Sequence, residues 1–99
     1  MIRGGTVYIL TNKTHTVLYI GVTSELWVRL QEHRDKKHPD SFTAKYNCDK
    51  VVYYESFSTI TEAISREKQL KNWKRVWKEE LIDKMNPTWR DLYDEVMRQ

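Results

Sequence analysis

Cysteine is nearly missing from this chain: among 99 residues there is one, Cys48. A single thiol has no disulfide partner within the chain, so a reducing cytoplasmic setting is expected. With His15, His33 and His38 it shows no zinc-finger spacing. Three glycines and two prolines leave no room for collagenous or low-complexity architecture. No segment approaches the ~18 consecutive apolar residues of a membrane span. The opening stretch MIRGGTVYIL lacks the apolar region and small-residue cleavage site of a secretory signal. No membrane partner is therefore expected. The length predicts one domain over residues 1–99, with 86–99 as a C-terminal extension packed on it.

What the chain does have is aromatic and basic. Four Trp and six Tyr must supply much of a small core. The net charge of +3 is mild, but its distribution is uneven. Arg66, Lys68, Lys71, Lys74, Arg75 and Lys78 crowd together around Asn72, Trp73 and Trp77. Such a run is either a solvated helix face or a patch that contacts phosphates. The tryptophans fit base stacking or, more simply, the large apolar groups of a small domain.

Short β-rich runs at Thr6–Thr11 and Thr16–Val22, joined by the polar turn Asn12–His15, predict a hairpin. Thr23-Ser24 is an N-cap candidate with Glu25 in the first turn, opening a helix to His33 or Arg34. A polar loop over 35–47 leads to a third strand, Lys50–Phe57. Thr59-Ile60-Thr61-Glu62 reads as a capping box for a helix to about Trp73. A further helix covers Arg75–Met85, stopped by Asn86-Pro87, and a short terminal helix is expected within Thr88–Gln99. The order β-β-α-β-α-α describes an α+β domain with helices on a small sheet.

On helical wheels, Arg29 and His33 share a stripe with Leu26 and Leu30, and Glu67 falls within the stripe of Ile60, Ala63, Ile64 and Leu70. Burying unpaired charges costs several kcal/mol, roughly, so these groups need partners. A buried Arg29–Glu67 ion pair that fixes helix packing satisfies the pattern. So does a cleft in which Glu67 holds a metal and Arg29 faces a phosphate. Tyr8 and Tyr19, mid-strand in the two hairpin arms, fit a cross-strand core pair or the same cleft.

Thr6-Val7-Tyr8, then Tyr19-Ile20-Gly21, Arg29 and Glu67 together resemble the GIY-YIG nuclease family. The stretches EAISREKQLKNWKR and NPTWRDL are similar to its short stand-alone bacterial members. The resemblance implies a three-stranded antiparallel sheet flanked by helices, and hydrolysis of DNA phosphodiester bonds assisted by a divalent cation, Mg2+ or Mn2+. It makes Glu67 the metal ligand, Tyr19 and Tyr8 the groups that orient or deprotonate water, and Arg29 the phosphate stabiliser. It adds His33 as a candidate base and Asn86 or Asn72 as a candidate site asparagine. Lys68, Lys71, Lys74, Arg75 and Lys78 would then meet DNA, including branched or damaged DNA in repair. The chain departs from the pattern in reading TVY for GIY, and in carrying Val22-Thr23 after the glycine where many members have lysine. A non-cleaving nucleic-acid-binding protein on the same fold, or a packing network in a protein-interaction domain, also accommodates these residues. The oligomeric state is not legible from the sequence.

Overall fold

The computed structural model describes residues 4–98; Met1–Arg3 and Gln99, the last residue of the expected terminal helix, lie outside the described residues. Three strands, β1 (Gly5–Thr11), β2 (Leu18–Thr23) and β3 (Lys50–Phe57), form one antiparallel sheet in the order β2-β1-β3. β1 is central, which explains why VYIL is apolar without alternation: both of its faces are covered. Val7 and Ile9 point into a core made with α3 (Ile60–Lys71) and α4 (Arg75–Met85), through Ala63, Leu70 and Ile82. Tyr8 and Leu10 point the other way, toward Leu30 of α1 (Leu26–Arg34) and Leu92 and Val96 at α5 (Tyr93–Met97). The architecture is a sheet between two helical layers.

Two element starts and one loop differ from the sequence expectation by more than a residue, each for a local reason. The second strand starts at Leu18, not Thr16, because the Asn12 side-chain carbonyl accepts the backbone N–H of both Thr16 and Val17 and holds them in the turn. The first helix starts at Leu26, with Glu25 as an N-cap that makes no side-chain capping bond. The Thr23 hydroxyl accepts from the Glu25 N–H instead and keeps this corner non-helical. The loop expected over 35–47 contains a short helix, α2 (Phe42–Lys45), capped by the Ser41 hydroxyl at the Ala44 N–H. The capping box at α3 forms: the Thr59 hydroxyl accepts from the Glu62 N–H and donates to its carboxylate.

The segment after α4 folds back along β3. The Leu92 N–H donates to the Val51 carbonyl, and the Asp91 carboxylate accepts from the Val51 N–H. Asn86, fully inside, donates its amide to the carbonyls of Val52 and Arg90 and accepts from the Arg90 N–H. Arg34 pairs with Asp91 and stacks over the Tyr93 ring, tying α1 to the same segment.

Candidate active site

Strand period two places Tyr8 and Tyr19 on one face of the sheet. Tyr8 is opposite Gly21 and Leu10 opposite Tyr19, so the two tyrosines are diagonal neighbours with ring centroids 6.4 Å apart. α1 crosses the same face and brings His33 against both rings, each 5.8 Å away centroid to centroid. The Tyr8 hydroxyl is 3.1 Å from His33 Nε2, and His33 Nδ1 is 2.9 Å from the Thr43 hydroxyl. Thr43 in turn is 3.3 Å from the Ser41 hydroxyl.

Arg29, one turn before His33, holds its guanidinium beside the Tyr8 hydroxyl. One pattern satisfies the three contacts: Tyr8 donates to Nε2, Nδ1–H donates to Thr43, and Thr43 donates to Ser41, with the Arg29 cation close to the Tyr8 oxygen. The environment enforces the charges this needs. Burial pushes the Tyr8 phenol up to about 12, helped by Tyr19 and opposed by Arg29, so it stays protonated. Burial, then the Arg29 charge, lowers His33 to about 4, so the imidazole is neutral at physiological pH. The cleft in front of these groups encloses about 290 Å³ and is lined by Tyr19, Arg29, His33, Lys36, Phe42 and Thr43, among others.

Glu67 approaches differently from the sequence expectation. It belongs to α3, on the opposite face of the sheet from α1. Arg29 pairs with Glu32 at 3.5 Å and Glu67 with Lys71 at 3.2 Å, so the helix-fixing Arg29–Glu67 ion pair does not form. A groove of about 340 Å³ along the edge strand, lined by Leu18, Tyr19, Ile20, Phe42, Lys71 and Lys78, joins the two sides at Tyr19. The Glu67 charge is felt at Tyr8, where it opposes ionisation of the phenol. Its side chain is 14% exposed. Among the described residues no three His, Cys, Asp or Glu side chains converge as a metal cluster. One hard carboxylate fits Mg2+ or Mn2+, which keep several waters and share substrate phosphate oxygens, and does not fit a site enclosed by protein ligands.

The remaining candidates scatter. Asn72 is the exposed C-cap of α3 and Asn86 is the buried backbone clasp described above; neither lines the two clefts. Lys71 and Lys78 line the edge groove, and Lys68 is exposed on α3. Lys74 is exposed near the Trp77 ring. Arg75 gives its donors to Glu79 and to the carbonyls of His15 and Thr16, locking α4 onto the hairpin turn. Trp73 packs on the core, while Trp77 is half exposed. Val22, the residue after the glycine of YIG, packs against the α3-side core. The sequence reading missed Thr43 and Ser41; their only signal was a Ser-Phe-Thr run that caps a four-residue helix.

The model of the GIY-YIG catalytic domain matches residues 4–80. A UPF0213 protein of Syntrophus aciditrophicus (strain SB) is 37% identical over 81 residues, 82% of this chain and 91% of that protein. The solution NMR structure of a UPF0213 protein from Bacillus halodurans superposes with a TM-score of 0.57 at 25% identity, covering 89% of this chain and 92% of that one. The family model spans more than three quarters of the chain and the curated relative is 37% identical over most of it, so this chain belongs to the GIY-YIG catalytic-domain family, a family of nucleases.

Proposed function

We propose that this protein is an endonuclease that hydrolyses DNA phosphodiester bonds with the help of one divalent cation, Mg2+ or Mn2+. The observation that carries the reading is the Tyr8–His33 contact, a protonated phenol donating to a neutral imidazole beside a guanidinium. A water attacking phosphorus gives its proton to the Tyr8 oxygen as Tyr8 passes its own to His33 Nε2, so no free phenolate is required. Arg29 faces the phosphate and stabilises the charge that builds on its oxygens. That phosphate also offsets the Arg29 charge that lowers His33, so substrate makes the imidazole more basic. Tyr19, at the junction of both clefts, orients the water and the phosphate. Glu67 would hold the cation, which when bound supplies Lewis-acid stabilisation of the phosphate and leaving oxygen. Lys68, Lys71, Lys74 and Lys78 would contact the DNA backbone. Cys48, buried and free, suits work in the cytoplasm, and branched or damaged DNA would make this a repair activity.

The test is incubation with branched, nicked, single-stranded and duplex DNA, with Mg2+ or Mn2+, beside Glu67→Ala. Metal-dependent cutting that disappears in a folded Glu67→Ala variant supports the proposal. Binding without cutting, unchanged in that variant, would instead establish a non-cleaving nucleic-acid-binding protein, the reading that the missing lysine at Val22 favours.

A further inference from the structure

Four aromatic rings run from the bottom of the cleft to the surface. Tyr8 and Tyr19 are 6.4 Å apart, Tyr19 and Phe42 stack at 6.1 Å with 27° between planes, and Phe42 and Tyr46 are 4.7 Å apart. The inner two are used by the site; the outer two are not. Phe42 is 47% exposed and Tyr46 51%. Their position is fixed, because α2 is held by the Ser41 cap, by Thr43 on His33 and by the Cys48 N–H on the Thr43 carbonyl.

Phe42 also stands at a particular place. It lines both the catalytic cleft, with Arg29 and Lys36, and the edge groove, with Lys71 and Lys78. A polyanion crossing Tyr19 from one groove to the other has cations on either side and a flat apolar ring between them. Two rings are far too small for a stable protein interface, which buries roughly 800 Å² per partner. They match the face of one nucleobase, and aromatic stacking combined with a cationic groove is how unpaired strands are held. Within a closed duplex both faces of every base are already covered, so a duplex offers Phe42 nothing to stack on.

The geometry points to Phe42, backed by Tyr46, as a stacking platform for one unpaired nucleobase next to the scissile phosphate. The protein then selects DNA with an unpaired nucleotide at the cut, as in single strands, flaps or gaps, over closed duplex. This rests on the nuclease reading of the Tyr8–His33 site, so the test measures binding without metal and cleavage separately.

Fluorescence anisotropy in EDTA compares the full chain with Phe42→Ala, Tyr46→Ala and Phe42→Trp, on a single-stranded oligonucleotide, a gapped duplex and an intact duplex. Phe42→Ala is expected to weaken binding to the first two about 5- to 160-fold, the range of one base–aromatic stack, and to leave intact-duplex binding within about twofold. Tyr46→Ala has a smaller effect in the same direction, and Phe42→Trp restores affinity. A single abasic nucleotide scanned through the gap reproduces the loss at one position, and Phe42→Ala adds little to it there. Equal loss on all three DNAs, or no loss on any, overturns the platform. If the selective loss is seen but the unmodified chain cuts nothing with Mg2+ or Mn2+, the platform stands and the nuclease reading falls. If the unmodified chain binds no oligonucleotide, both fall.

Discussion

Gly21 lies directly across the ladder from Tyr8, and the Tyr8 ring covers its α-carbon. A Cβ built there would overlap the ring and its hydroxyl. The backbone at Gly21 is not in the left-handed region, so glycine is needed for space and not for conformation. The last residue of the YIG tripeptide therefore exists for the tyrosine of the other tripeptide.

Gly21→Ala is accordingly expected to displace Tyr8 from His33. Overpacking of this kind costs about 1–3 kcal/mol, visible as a lower urea midpoint. Catalytic loss should exceed what the unfolded fraction explains, because the Tyr8–His33 distance is what changes. Tyr8→Phe makes the complementary test, retaining the ring and removing only the hydroxyl. It should keep the fold and lose cleavage.

The depressed His33 pKa gives a pH signature. His33 is lowered from the ordinary 6.5 to about 4 by burial and then by Arg29. Between these values the unfolded chain binds a proton that the folded chain refuses. The stability attached to this group is thus fully present above about pH 6.5 and is lost as the pH falls toward 4. Urea midpoints measured from pH 7.5 to 4 should fall more steeply in the unmodified chain than in His33→Gln. Arg29→Met, by removing a cation, should move the His33 titration in NMR upward.

Much of the fold was legible because its signals are local. Period two puts Tyr8 and Tyr19 on one face, and the Thr59–Glu62 box opens α3 where expected. Helical wheels placed Arg29, His33 and Glu67 toward the sheet. A wheel says which side of a helix meets the sheet but not which face of the sheet the helix covers. The wheels therefore set Glu67 facing Arg29, whereas Glu67 comes from the other layer. Thr43 was illegible for a related reason: its hydroxyl matters only through a contact ten residues distant, in a segment whose polarity reads as loop. Arg75 looked like part of a phosphate patch because its backbone-carbonyl partners, His15 and Thr16, carry no sequence signal for it.

Thr43→Val tests the positioning of His33. Valine keeps the shape and removes the acceptor of Nδ1–H, leaving a part-buried donor unsatisfied at a cost of about 1–3 kcal/mol. The more telling readout is the imidazole itself. With Nδ1 unheld, the His33 ring should no longer be fixed as the Nδ1–H tautomer, which imidazole nitrogen NMR shifts report. Thr43→Ser, which restores the hydroxyl, should recover the tautomer and most of the cleavage rate. Recovery of stability without recovery of the tautomer would show that Thr43 serves packing alone.

Asn86→Ala separates a clasp from a site residue. The amide joins the end of α4 to Val52 and Arg90 through bonds of 2.8 to 3.2 Å, all of them to main chain. Truncation strands the buried Val52 carbonyl and removes both Arg90 bonds, with an expected cost of about 1–3 kcal/mol, and it should loosen the return segment that carries Leu92 and Val96 into the core. Limited proteolysis should then cut after Met85 sooner than in the unmodified chain. Cleavage of DNA per folded molecule, measured at low temperature where the variant remains folded, should stay within about twofold, a small change on the scale of removing a general acid or base. A folded Asn86→Ala variant that loses cleavage by two orders of magnitude or more would move Asn86 from the scaffold into the site.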